Sequence, residues 1–178
     1  LVFGEDLGQM KNRIELAEYF AKLGFTKGAE IGVATGRYSE ILLQKIENLN
    51  LLCVDPFYRQ GHYEKTLERL LPLYKAMAHI MKETSMEAVI KVPDNSLDFV
   101  FIDGNHQFNH VMEDIIGWGR KVRRGGIISG HDYYHFHNSG VIEAVNKYTE
   151  VHRLDLHLTE WNTDGHKDDR FPCWWIQL

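Results

Sequence analysis

Five residues of this chain have the chemistry of a reacting centre, and each follows a short apolar run. Asp55 closes Leu51-Leu52-Cys53-Val54. Asp103 closes Phe99-Val100-Phe101-Ile102, with His106 three residues further on, and His131-Asp132 close Gly126-Ile127-Ile128-Ser129-Gly130. A carboxylate accepts hydrogen bonds from hydroxyls or ligates a metal, and an imidazole takes up a proton near neutral pH. A further run, Ala29-Glu30-Ile31, breaks into Gly32-Val33-Ala34-Thr35-Gly36 and then a helical pattern. Gly32 and Gly36 are open to backbone angles closed to other residues, and free amides begin the helix that follows, so this stretch suits a nucleotide-like ligand. Its Gly-x-x-x-Gly spacing, with Glu30 two residues before the first glycine, departs from the Gly-x-Gly-x-x-Gly that binds dinucleotides.

These groups meet only if the apolar runs are neighbouring parallel strands, whose carboxyl ends share the rim of one crevice. The intervening patterns supply the helices that such strands need. Residues from about Asp6 to Leu23 form an amphipathic helix, expected to cover one sheet face, and Ser39 to Asn48 and Tyr63 to Leu71 form two more, the last ended by Pro72. Ala78 to Glu83 is expected as a strand, and Thr84-Ser85 as the opening of a short helix. Val111 to Trp118 and Gly140 to Tyr148 return to helical spacing. The alternating Leu154 to Leu158 and the run Phe171 to Leu178 read as strands joined by a polar hairpin loop, Trp161 to Arg170. Within the last run, Trp174 and Trp175 alternate faces as core and cover.

Composition narrows the function classes. With 178 residues, 44% of them hydrophobic, one compact domain is expected, residues 1–24 covering a core of residues 25–178. A formal charge of −5 argues against a general nucleic-acid binder. The one basic knot, Lys121-Val122-Arg123-Arg124, reads as a solvated turn. Cys53 and Cys173 sit in apolar runs, as buried thiols rather than a disulfide framework, which fits a reducing cytoplasm. No apolar stretch is long enough to span a membrane, and Leu1 to Asp6 do not look like a secretion signal.

Four motifs in this order, Glu30 to Gly36, Val54-Asp55-Pro56, Phe99 to His106 and Gly125 to Tyr133, resemble the class I S-adenosylmethionine-dependent methyltransferases over roughly Phe25 to Leu178. Within that family the chain looks most like the small-molecule O-methyltransferases related to catechol O-methyltransferase and to the sugar-modifying enzymes of macrolide pathways. The resemblance implies an α/β fold: a doubly wound, Rossmann-like sheet of seven mostly parallel strands, the last antiparallel, with helices on both faces. It implies S-adenosylmethionine as cofactor, with Gly32 and Gly36 under its methionyl part, Glu30 supporting the turn, Asp55 on the ribose hydroxyls, and Thr84, Ser85 and Met86 bordering the adenine. Asp103 is expected among the cofactor-binding residues as well.

It also implies a divalent ion held by Asp103, His131 and Asp132, although relatives carry an acid where this chain has His131. An imidazole suits manganese, iron or zinc, or no metal at all, better than magnesium. His106 takes the place of the lysine that deprotonates the acceptor in the catechol enzymes. The expected roles are therefore His106 as base, with Asp103 and Asp132 orienting the acceptor directly or through a metal. His131, His135 and His137 match no closed zinc site. Tyr133, Tyr134 and Phe136 suit an acceptor pocket or lid.

Three other readings stay open on these residues. One is a metal-dependent hydrolase built on Asp103, His106, His131 and Asp132; another is a binding module that keeps the cofactor turn without catalysis; the third is a nicotinamide dehydrogenase, which the glycine spacing disfavours. The expected acceptor is a small molecule. Short loops imply an open cleft for a bulky substrate or a lid contributed by a second subunit of a homodimer.

Overall fold

The structure, a computed structural model, describes residues 10–73, 77–162, 166 and 169–178. In chain order the elements are α1 (Arg13–Lys22), β1 (Lys27–Ile31), α2 (Arg37–Lys45), β2 (Asn50–Val54), α3 (His62–Leu70), β3 (Ala78–Met81), α4 (Ser85–Val89), β4 (Leu97–Ile102), α5 (Phe108–Gly119), β5 (Val122–Gly130), α6 (Val141–His152), β6 (His157–Leu158) and β7 (Trp174–Gln177). One seven-stranded sheet runs in the order β3-β2-β1-β4-β5-β7-β6. The first five strands are mutually parallel. Among the described strands, only β7 runs against its neighbours, β5 and β6.

The central strands are near-continuous apolar runs because helices cover both faces. From Phe99 onward successive residues of β4 serve opposite sides, while Leu97, before a register irregularity, shares the side of Val100. Phe99 and Phe101 join a core with Leu16 and Phe20 of α1 and Tyr38 and Leu42 of α2. Leu97, Val100 and Ile102 join another with Val89 of α4, Ile115 and Trp118 of α5 and Val145 of α6. The two halves of the sheet diverge at β1 and β4, so the crevice of an open α/β sheet falls at their carboxyl ends.

Several boundaries differ from the sequence expectation, each for a local reason. Helix α1 starts at Arg13 rather than near Asp6, because Asn12 Oδ1 caps it by accepting from the amides of Ile14 (2.9 Å) and Glu15 (3.2 Å). The earlier residues of that expectation, 6–9, lie outside the described residues. Strand β3 stops at Met81, and Thr84 forms a capping box with Glu87 that opens α4. The alternating stretch from Leu154 yields only the two-residue edge strand β6. Trp174 and Trp175 are both buried, one in each core, because β7 lies between β5 and β6 instead of at the rim. The loop expected over Trp161 to Arg170 falls partly outside the described residues.

Phe99 is fully buried and stacks on Phe20 with ring centroids 4.4 Å apart. Phe99→Ala is expected to cost about 3–5 kcal/mol of stability, read as a lower urea midpoint at an unchanged slope.

Candidate active site

The site is built where β1 and β4 end. Gly32 has φ +92°, and a Cβ there would stand 2.1 Å from the carbonyl oxygen of Asp103. Only glycine permits this approach, which the Asp103 amide completes by donating to Ile31 O at 2.7 Å. The turn that follows is tied to β2. The Gly32 amide donates to Val54 O at 2.9 Å, and the Ala34 amide to Asp55 Oδ2 at 2.8 Å. Asp55 Oδ1 also accepts from the Phe57 amide at 2.6 Å. The carboxylate expected for a ribose thus first fixes the turn, and each of its oxygens keeps lone-pair capacity.

An open cavity of about 870 Å³ lies over these strand exits. It is lined by Gly32, Asp55, Thr84, Ser85, Met86, Asp103, His106, His131 and Asp132, so nearly all the residues singled out from the sequence share one space. Glu30 and Gly36 are the exceptions. The Glu30 side chain is buried behind the turn, where it accepts from the Ser39 hydroxyl of α2, and burial, partly offset by that bond, pushes its acid up to about 8. Gly36 packs against Thr66 and Leu70 of the α3 side and begins α2 with φ +74°. Both shape the turn from outside the cavity. A smaller cavity of about 420 Å³ beside Arg124, Arg153 and His157 contains none of these groups.

At the β4 and β5 exits, two carboxylates and two imidazoles gather. His106 Nε2 lies 3.0 Å from Asp132 Oδ2, out of line for a hydrogen bond, and 3.7 Å from Asp103 Oδ1, too far for one, so both are ion-pair contacts of the protonated ring. His131 Nδ1 lies 3.1 Å from Asp132 Oδ1 and 3.9 Å from Asp103 Oδ1. Asp103 is divided between partners, since its Oδ2 lies 3.7 Å from Arg13 Nη1 while Oδ1 faces the imidazoles. Asp103 and then Asp132, acting against burial, raise His106 to about 9. Burial opposes ionisation of Asp132, but the two imidazoles outweigh it and hold the carboxyl well below its usual range.

One oxygen each of Asp103 and Asp132 and one nitrogen of His131 lie within 4.8 Å of one another. His131 Nε2 is buried with no hydrogen-bond partner among the described residues. Two carboxylate oxygens with an imidazole nitrogen fit a first-row transition ion better than magnesium. Among the described residues no other cluster has such a donor set. His135 and His137 are exposed and take no part in it.

Four contributions escape the sequence reading. Arg13, on a helix expected only to cover the sheet, is buried, lines the cavity and donates through Nε to Asp169 Oδ1 at 2.6 Å. Asp169 also receives Arg37, and both arginines outweigh burial to lower its pKa. Asp114 is buried and lines the same cavity beside Ser85 and Gly104. The signal for it is an acid on the apolar stripe Val111, Ile115, Trp118. Phe171 extends the aromatic wall by stacking on Tyr134 at 3.9 Å, and Phe136 stacks on the same ring at 4.5 Å. Of the three aromatics proposed for this wall from sequence, Tyr133 instead donates its hydroxyl to Asn146 on α6. The basic knot is largely neutralised locally, with Lys121 paired to Asp94 and Arg123 to Asp98.

Comparison with known proteins follows this geometry. A family model described as a methyltransferase domain matches residues 29–133, from β1 through the rim residues after β5. An uncharacterized protein of Acanthamoeba polyphaga mimivirus is 31% identical over 139 residues, covering 74% of this chain and 62% of the relative, so the chain spans under two thirds of that protein's length. An O-methyltransferase from Bacillus cereus in complex with SAH superposes with a TM-score of 0.73 at 12% identity, over 93% of this chain and 80% of that one. The O-methyltransferase TomG from Streptomyces achromogenes, in complex with SAM, gives 0.69 at 17% identity, over 93% and 79%. At such identities the structural likeness speaks for the fold alone.

The raised His106 makes stability depend on pH with a definite sign. The protonated imidazole between its acids stabilises the folded state fully below the unfolded value of about 6.5, and the contribution is lost as pH rises towards about 9. Thermal melts of wild type and His106→Gln should therefore differ most at pH 6 and converge by pH 9 to 10; a gap independent of pH would contradict this.

Proposed function

The chain belongs to the methyltransferase-domain family, and from that premise we propose that it transfers a methyl group from S-adenosylmethionine to a hydroxyl of a small-molecule acceptor. The observation that carries the reading is one cavity with the Gly32 turn and Asp55 at one wall and an imidazole between two carboxylates at another. The cavity's size suits a cofactor and a small acceptor together.

The residues fit the cofactor. Gly32 and Ala34 leave the main chain of the turn open, Asp55 retains acceptor capacity for two ribose hydroxyls, and Thr84, Ser85 and Met86 border the space beside it. Glu30 and Gly36 support this turn from behind. When bound, S-adenosylmethionine supplies a methyl group already activated by its sulfonium. The chain's own task is to align an acceptor oxygen and remove its proton.

His106 is the group to take that proton at Nε2, and Asp103 and Asp132 hold its ring and orient the hydroxyl. Its raised pKa leaves it largely protonated at pH 7 in the free protein, so it takes the acceptor proton only after losing its own, and turnover should rise with pH towards about 9. Asp103, His131 and Asp132 would hold a transition ion, whose contribution would be Lewis-acid polarisation of the acceptor. Tyr134, Phe136 and Phe171 form an aromatic wall beside this centre. The net charge of −5 supports a small acceptor over a nucleic acid.

Titration with S-adenosylhomocysteine should show binding that Asp55→Ala weakens at least about tenfold, in line with loss of charged hydrogen bonds. With labelled S-adenosylmethionine and a panel of phenols, catechols and sugars, His106→Gln should lower kcat by about 10²- to 10⁴-fold while leaving cofactor affinity within about twofold. No binding at millimolar ligand would sink the proposal. Metal-dependent ester hydrolysis indifferent to S-adenosylmethionine would favour the hydrolase, and binding without transfer the non-catalytic module.

A further inference from the structure

Asp114 is a buried carboxylate that the proposed chemistry does not use. It lies on α5, is 5% exposed, and lines the cavity beside Ser85 of α4. Its surroundings fix what it can offer a ligand. The Trp118 indole N–H donates to Ser85 Oγ at 2.8 Å, and the Ser85 hydroxyl donates to Asp114 Oδ1. An indole nitrogen can only donate, so the chain of bonds runs one way and ends on the carboxylate as an acceptor.

The other oxygen is left over. No donor among the described residues reaches Asp114 Oδ2, which lies beside Gly104, where an added Cβ would come 3.9 Å away. No arginine or lysine among the described residues pairs with Asp114. Its ionisable neighbours are His110 and Glu113, both exposed on the same helix and 3.6 Å from each other. Burial pushes Asp114 up to about 6, partly offset by Ser85, which leaves the group mostly ionised at neutral pH. That oxygen opens to the cavity, where it is available to accept a hydrogen bond from a ligand in place of water.

The strand order says which part of a ligand that would be. A nucleoside held by its ribose at Asp55 of β2, with its reacting arm directed to the groups on β4 and β5, must place its base on the remaining side. That side is the β3 exit, where Met86 and Asp114 line the cavity beside the apolar Val54 and Ile31. We propose that Asp114, through Oδ2, accepts a hydrogen bond from the exocyclic amino group of the cofactor's purine and so selects an amino-bearing base. The inference rests on the cofactor reading above and adds a specificity residue to it, on α5 and outside the strand-end motifs.

The test compares S-adenosylhomocysteine with its analogue bearing hydrogen in place of the 6-amino group, by calorimetric titration of the full chain. Wild type should bind the amino ligand about 10- to 100-fold more tightly, the range for a hydrogen bond to a charged acceptor. In Asp114→Asn the amide keeps its oxygen on Ser85 and turns its NH₂ to the cavity, so affinity for S-adenosylhomocysteine should fall and the preference should shrink to within about twofold. Equal affinity of wild type for the two ligands would overturn the inference while leaving the cofactor reading standing, and that measurement needs no variant to fold. A folded Asp114→Asn protein that keeps the wild-type preference would overturn it as well. Binding of neither ligand to wild type would overturn the cofactor reading and this inference with it.

Discussion

A backbone contact, rather than a side-chain bond, joins the two halves of the cavity. Where β1 ends, position 32 has no Cβ, and the carbonyl of Asp103 at the end of β4 fills the space one would occupy. This approach brings the glycine turn, with Asp55 hydrogen-bonded to it, next to the acid and imidazole cluster. Any side chain at 32 would have to separate the strand exits or take a positive φ at a steric cost. The walls proposed for cofactor and acceptor are thus coupled through a single residue, and the proposed chemistry depends on both being within one ligand's length.

The second constraint is charge. Asp103 and Asp132 stand close together in a half-enclosed space, where two unpaired carboxylates would repel. Arg13 takes one oxygen of Asp103, and the imidazoles of His106 and His131 lie between the remaining oxygens. Arg13 is in turn fixed by Asp169, which Arg37 of α2 shares. The first helix, the turn helix and the loop before β7 are therefore linked by one buried ion network that ends at the proposed catalytic acid. A helix that looks like mere cover for the sheet also sets the electrostatics of the rim.

What was legible in the sequence follows from what is local. Apolar runs ending in Asp55, Asp103 and His131-Asp132 mark strands and their exits directly, because a strand's end and its rim residue are adjacent in the chain. The parallel sheet with its reversed last strand agrees with the expectation, as does the burial of Cys53 and Cys173 as free thiols. Among the described residues no helix is long and apolar enough to cross a membrane. What was illegible depends on tertiary partners. Arg13 looks solvated until Asp169, far along the chain, pairs with it. The shortening of the Leu154 strand and the burial of both tryptophans follow from β7 inserting between β5 and β6, which local periodicity does not encode. Asp114 lies between these cases, since its place on an apolar helical stripe was visible but its Ser85 and Trp118 partners were not.

The central claim, that one cavity serves both cofactor and acceptor, is most directly tested by the crystal structure of the protein with S-adenosylhomocysteine. The account predicts the ribose hydroxyls within hydrogen-bonding distance of Asp55 and the sulfur directed towards Asp103 and His106. Ligand density elsewhere on the molecule, or a sulfur directed away from that cluster, would contradict it.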